Sequence, residues 1–319
     1  MSISRRAFLK TGAAAAGALA AGLVMPKSGV AEGKKAVVYA ARSLDGDTLR
    51  RMYALVCGNL TGKVAIKLHT GEPGGPNILP RDWVRDLQAT IPDSSIVECN
   101  VLYPSPRQTT EGHRAVLKQN GWTFCPVDIM DAEGDAVLPV TGGRHLKELA
   151  VGAHLLNYDS MLVLTHFKGH TLGGFGGSLK NISIGCASGK TGKQQLHQVT
   201  ADGAWPGGAP FMERMVEGGK AIVEHFQGRM AYINVLRNMS VSCDCEGISA
   251  EPVRLPDLGM LASTDIQAVD RASVDMIYAL PKDVRAPLVE RMESREGLRQ
   301  LSYMKEMGLG SDEYELVWI

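Results

Sequence analysis

Residues 160–167 read SMLVLTHF, an apolar run with no alternating polar face. A strand of that composition has to be covered on both sides, and such strands belong to sheets sandwiched between helices. Further strand-like runs fall at 36–41, 63–70, 95–103, 126–131, 230–239 and 314–319. Helical periodicity fills 45–57, a segment opened by Pro80, 110–120, 210–226 and 266–280. Asp45 and Asp265 stand where helix caps belong, Pro80 suits a first helical turn, and Gly121 suits a helix end. The alternation predicts an α/β fold: a mostly parallel sheet flanked by helices, with a ligand cleft at the strand carboxyl ends. Residues 32–319 are long enough for one domain of this kind, with room for two subdomains meeting near 145–160.

The apolar run leads straight into the least ordinary part of the chain. Residues 165–197 hold three histidines, four lysines, eight glycines, one cysteine and no acidic residue. A packed core does not call for that mixture; a binding site does. Glycine lets backbone N–H groups approach a ligand, so Gly173, Gly174, Gly176 and Gly177, with Lys180 and Asn181 beside them, are expected to cradle a cofactor. His166, Lys168 and His170 leave the strand at alternate positions and can project on one side. His166 and His197 are candidate metal ligands and His170 a candidate acid or base. Lys168 and Lys180 are expected to orient an anion during catalysis. Lys190 and Lys193 either join them or form a solvated basic loop. Gly189-Lys190-Thr191 lacks the preceding glycines of a phosphate-binding P-loop, so nucleotide hydrolysis is not expected. The loop at 71–77 (GEPGGPN) follows a strand and is expected to form another lip of the cleft. Asp270, on a predicted helix, could support a ligand histidine.

The six cysteines divide by surroundings. Cys57, Cys99 and Cys125 lie in apolar patterns and are expected to be small core residues. Cys243 and Cys245, one residue apart, close too small a ring for an easy disulfide, whereas two thiolates so spaced can reach one metal. With Cys186 they would make a three-sulfur set suited to zinc, copper(I) or an iron–sulfur centre.

Ser4-Arg5-Arg6-Ala7-Phe8-Leu9-Lys10 is a twin-arginine export motif, followed from Thr11 to Met25 by an apolar stretch too short to span a membrane convincingly. Gly29-Val30-Ala31 offers a cleavage site, so residues 1–31 are expected to be a signal peptide and the periplasm the destination. The expected partners are the twin-arginine translocase during export and a small anionic molecule afterwards, with no stable membrane insertion. The whole chain has 34 basic and 34 acidic side chains. Without Arg5, Arg6, Lys10 and Lys27 the balance turns mildly acidic, which points away from nucleic acid.

The run KGHTLGGFGGSLKNISIGCASGKTGKQQLH, then VSCDCEG, then PDLGMLASTDIQAVDRASVD, resembles the signature of domain of unknown function family 362. The resemblance spans residues 63–279. Many members of that family add a ferredoxin-type iron–sulfur region, whose cysteine run is missing here. His170, Gly176-Gly177-Ser178-Leu179-Lys180 and His197 are also similar, more distantly, to the pattern of the nickel-pincer lactate racemases. That second resemblance implies a lysine-tethered organic cofactor on Lys180, nickel ligation by His197, and His170 as a nearby acid or base. Leu179 and Ile184 stand where the racemase pattern has Arg and Pro, and residues 68–72 lack its Asp-x-Thr-Arg substrate motif. The reaction itself is therefore not implied.

The expectation is an exported protein that binds a metal or metallo-cofactor, with nickel, iron or iron–sulfur, or zinc as the metal. As an enzyme it would act on a small anionic substrate by racemase- or oxidoreductase-like chemistry. A non-catalytic carrier of metal or cofactor, and an iron–sulfur-associated electron-transfer partner, are the alternatives.

Overall fold

In the computed structural model, residues 35–319 are described. The twin-arginine motif and the apolar stretch after it lie outside the described residues. Along the chain come β1 (Ala36–Ala41), α1 (Gly46–Val56), β2 (Val64–Lys67), α2 (Arg81–Gln88), β3 (Ser94–Glu98), α3 (Thr110–Gln119) and β4 (Val127–Ile129). Next are β5 (Asp135–Pro139), β6 (Glu148–Gly152), β7 (Ser160–His166), β8 (Lys168–His170), β9 (Gly174–Gly176), α4 (Ser178–Cys186) and α5 (Thr191–His197). Then follow α6 (Ala209–Phe226), β10 (Met230–Leu236), β11 (Gly259–Ser263), α7 (Ile266–Tyr278), α8 (Lys282–Ser294), α9 (Arg299–Glu306) and β12 (Tyr314–Trp318).

Eight strands form one sheet in the order β12-β1-β11-β10-β7-β2-β3-β4. Every neighbouring pair is parallel except the two made by β11, which runs against the rest. The mostly parallel α/β sheet expected from the pattern is thus present. β7 and β10 are buried at all their residues, as an apolar run without a polar face requires. Successive side chains go to opposite faces. Leu162, Leu164, Ile233 and Val235 pack with Leu49 and Met52 of α1, Val84 and Leu87 of α2 and Leu117 of α3. Met161, Val163 and Tyr232 pack on the other face with Leu179 and Ile182 of α4, Val216 of α6 and Val269 and Ala272 of α7. Each such aliphatic side chain contributes roughly 1.5–3 kcal/mol when fully buried, so the central strands form a rigid base for whatever their ends carry.

Some elements escape the sequence reading for identifiable reasons. β11 is antiparallel because residues 237–257 make no crossover helix; they form a cysteine-bearing turn and come straight back. α8 carries Pro287 in its interior, which breaks the expected helical pattern. The hairpins β5–β6 and β8–β9 form two separate two-stranded sheets. In the second, Gly169 lies so close to the turn after β10 that a Cβ would stand 2.5 Å from the Val241 carbonyl oxygen. The described residues form one compact unit. Among them, no helix is long and apolar enough to cross a membrane.

The Gly-rich segment enters α4 against α7. Asp270 accepts hydrogen bonds from the N–H groups of Ser178 (2.7 Å) and Leu179 (2.9 Å) and from Nδ2 of Asn234 (2.8 Å). Gly177 is forced, since a Cβ there would collide with the Asp270 carboxylate. Asp270 therefore anchors the start of α4 and supports no ligand histidine, contrary to the sequence expectation. Burial raises its pKa to about 6, although these donors pull the other way. Asp270→Ala should lower the unfolding free energy by roughly 2–3 kcal/mol, read as a lower urea midpoint at unchanged slope. The raised folded pKa adds a pH signature. Its stabilising contribution is full below about pH 4 and is lost as pH rises through 6, so the gap between the two proteins should narrow over that window.

Candidate functional site

The carboxyl ends of β2, β3, β7 and β10 open into one cavity of about 470 Å³, a size suited to a small molecule. Lys67 and His69 reach it from β2, Glu98 and Tyr103 from β3, and His166, Lys168 and His170 from the β7–β8 junction. Lys180 of α4, His197 of α5 and the turn bearing Cys243 and Cys245 complete the wall.

A buried ionic network forms the floor. Lys67 Nζ lies 2.9 Å from Glu98, and the Arg107 guanidinium donates to Glu98 and Glu72, 3.0 Å each. Glu72 also accepts from the hydroxyls of Tyr103 and Ser105 at 2.6 Å. Burial alone would raise the Glu98 pKa, but Lys67 and Arg107 outweigh it and hold the carboxylate well below its usual range. Charges removed from water in this way are tolerated only when paired, and here each has a partner.

Asp244 is the second hub. It is buried, and it accepts from Lys168 Nζ at 2.7 Å and His166 Nδ1 at 2.9 Å. Burial would raise its pKa, yet His166 and Lys168 hold it well below the ordinary value. Asp244 opens a short 3₁₀ helix, Asp244–Ser249, that Cys243 caps. Cys243 Sγ accepts from the Cys245 N–H at 3.4 Å, and the Glu246 carboxylate accepts from the Cys243 N–H at 3.1 Å. Both thiols are thereby turned to the cavity. The Cys245 thiol donates to Cys243, and with Lys180 and His170 this holds the Cys243 pKa well below that of a free thiol despite burial. The same bond, together with burial, pushes Cys245 well above it.

His170 Nδ1 accepts from the N–H groups of Leu172 (3.1 Å) and Gly173 (2.8 Å). Its proton therefore belongs on Nε2, which lies 3.8 Å from Cys245 Sγ. Burial, reinforced by Lys180, lowers its pKa and keeps the ring neutral. His170, Cys243 and Cys245 bring one donor atom each within 4.8 Å of one another, a group that could hold a metal ion. The two sulfurs fit a soft ion. His170 can join them only by releasing its Nε2 proton, because its other nitrogen already accepts from the backbone, whereas a ligand histidine usually donates from that nitrogen.

Residues 64–275 match the family model described as Domain of unknown function (DUF362). The chain belongs to this family. No curated protein matches the sequence. Among solved structures, the chain is similar to the lactate racemase apoprotein from Thermoanaerobacterium thermosaccharolyticum, at 12% identity and a TM-score of 0.45, over 76% of this chain and 57% of that one. It is also similar to a protein from Thermotoga maritima, at 15% identity and a TM-score of 0.41, over 67% of this chain and 54% of that one. The chain thus spans little more than half the length of either structure.

In this DUF362 protein the expected site residues separate into two groups. Lys168, His170, Gly176, Gly177, Lys180, Asn181, His166, His197, Cys243 and Cys245 all line the cavity. Gly173 and Gly174 do not: the first gives its N–H to His170, and the second packs against Gly297. Cys186 is also elsewhere. It is buried where α4 meets the sheet, its carbonyl oxygen accepts from the Cys99 thiol, and burial pushes its own thiol up to about 12. The three-sulfur set is therefore not assembled. His166 lines the wall, but its nitrogens face Asp244 and the Arg237 carbonyl oxygen (2.6 Å), which leaves neither for a metal. The His197 ring stacks on Phe211 with centroids 4.9 Å apart, and its buried Nδ1 has no hydrogen-bond partner. Lys190 is exposed, whereas Lys193 is buried and donates to the Ala187 carbonyl at 2.6 Å.

Lys67, His69, Glu98, Arg107 and Asp244 were missed by the sequence reading. Lys67 and Glu98 had a usable signal: each is a lone charge at the carboxyl end of a strand that is otherwise buried. Arg107 had none, since it comes from a loop.

Two outcomes are expected. Asp244→Ala strands the buried Lys168 charge and should cost about 3–5 kcal/mol in urea unfolding at neutral pH. Because the folded pKa of Asp244 is depressed, that deficit is full above about pH 4 and disappears as pH falls through the folded value. In the metal-free protein, iodoacetamide should label Cys243 as a thiolate at neutral pH. Lys180→Ala should shift that rate profile to higher pH, and an unmoved profile would exclude Lys180 as a cause.

Proposed function

We propose that this DUF362 protein is a metal-dependent enzyme of the periplasm, exported by the twin-arginine pathway, that acts on a small anionic molecule. The observation that carries the reading is the meeting of Cys243, Cys245 and His170, with donor atoms within 4.8 Å, at the wall of a cavity that also holds Lys180. Cys243 and Cys245 would hold the ion, with His170 as the third donor in the tautomer that carries its proton on Nδ1 and gives up the Leu172 and Gly173 N–H groups. A metal bound there supplies a positive centre that polarises an oxygen of the substrate.

The protein's own groups do the rest. Lys180 has no ionic or hydrogen-bonding partner among the described residues, so its ammonium is free to hold an anion. Lys168 is committed to Asp244 and positions the cysteine turn. Leu172, Ile184 and Trp205 give the cavity an apolar wall beside these polar groups.

A second reading is favoured by the His170 hydrogen bonds. With Nδ1 accepting from the backbone, Nε2–H faces the sulfurs, the arrangement of a thiolate paired with a proton donor. In that case the Cys243 thiolate acts without a metal and the His170 Nε2–H steadies the negative charge as a hydrogen-bond donor.

Elemental analysis of protein purified from the periplasm of its own host separates the two. The metal reading expects a stoichiometric soft metal that falls at least roughly tenfold in Cys243→Ser and Cys245→Ser. A chromophore lost in Lys180→Ala would place an organic cofactor on that lysine. Metal-free protein that also fails to take up zinc, nickel or iron would sink the metal reading and leave thiol chemistry.

A further inference from the structure

We propose that His69 is a specificity-determining donor of this cavity, a neutral histidine fixed by the backbone to present Nε2–H to an oxyanion of the bound molecule. The proposal rests on the reading of the cavity as an anion site and adds the group that recognises the anion. His69 follows β2, and its Nδ1 accepts the Gly71 N–H at 2.9 Å. That bond uses the Nδ1 lone pair, so the single proton of the neutral ring belongs on Nε2. Gly71 can return its N–H to the ring because its φ is +87°, and a Cβ there would lie 2.5 Å from Ile78. The ring lines the cavity, and Nε2 has no protein partner among the described residues.

The device occurs twice. His170, from the β7–β8 side of the same cavity, also accepts backbone N–H groups at Nδ1 and carries its proton on Nε2. Burial and the neighbouring Arg107 push the His69 pKa down to about 4, so it stays a neutral donor at physiological pH. Most other cations of the wall are matched by a carboxylate, Lys67 by Glu98, Arg107 by Glu72 and Glu98, and Lys168 by Asp244, while Lys193 is buried with its ammonium given to the Ala187 carbonyl. Against this background Lys180 supplies the charge and His69 a directional hydrogen bond. The chemistry that fits is a small oxyanion, a carboxylate or a phosphate, with oxygens as acceptors.

The test uses the full-length protein labelled with ¹⁵N-histidine. Long-range ¹H–¹⁵N spectra should show His69 protonated on Nε2 in the free protein, and titration with propionate or inorganic phosphate should move that signal. His69→Phe, which keeps a ring but loses the donor, should weaken the probe that binds by roughly tenfold or more. His69→Gln, whose amide can donate from a similar reach, should stay within about threefold of wild type. Which probe binds tells carboxylate from phosphate. A proton on Nδ1, or a bound probe that shifts His170 and leaves His69 unmoved, overturns the assignment alone. If neither probe binds the wild type, the anion reading of the cavity falls, and this assignment falls with it.

Discussion

The site depends on one buried carboxylate. Asp244 lies between the two cysteines in sequence and joins their turn to Lys168 and His166, which emerge from the central strand. Two partners on one carboxylate, the Lys168 ammonium and the His166 ring, all three groups buried, leave little freedom for the turn to move. Cys243 and Cys245 can then face His170 only because Asp244 is held, and Gly169 permits the approach by having no side chain to meet Val241.

A second consequence concerns the sign of the cavity. Its lysines and arginine are many, but most are neutralised by buried glutamates and by Asp244, and His69, His170 and His197 stay uncharged because burial disfavours the cation. The wall therefore offers hydrogen-bond donors with little free positive charge, apart from Lys180 and the carbonyl-bound Lys193. Cys243 takes advantage of that environment: it receives a hydrogen bond from Cys245 and a favourable field from Lys180 and His170, which together exceed the burial penalty on a thiolate. Metal binding and thiolate chemistry both begin from such a sulfur, and the His170 tautomer is the geometric detail on which they diverge.

The glycines that dominate the segment 165–197 act mainly inside the protein. Gly169 admits the cysteine turn, Gly173 fixes the His170 tautomer and Gly177 makes room for Asp270. Gly176 and Gly177 also reach the cavity wall. Composition pointed to a segment that lines the cavity but not to what several of its glycines do, because a backbone can approach another part of the chain as readily as it approaches a ligand.

The sequence alone determined the sheet. An apolar strand with no polar face can only be an interior strand, and strand–helix alternation leaves a mostly parallel α/β architecture as its covering. It also pointed to the segment that lines the cavity, since histidines, lysines and glycines crowd the end of that strand, and it marked Cys243 and Cys245 as a pair by their spacing. Tertiary structure decided the partners. Cys186 looked equivalent to the other two cysteines, yet the orientation of α4 buries it in the core. Lys67, Glu98 and Arg107 come from three separate segments, and only the parallel register of β2 and β3 brings Lys67 and Glu98 together. Which nitrogen of His69 and His170 holds a proton was fixed by backbone N–H groups two or three residues further on, through turn geometry that residue type does not encode. Hydrophobic patterning is a local, periodic signal and is written along the chain. Hydrogen-bond and ion-pair partners depend on distances that exist only after the strands have aligned.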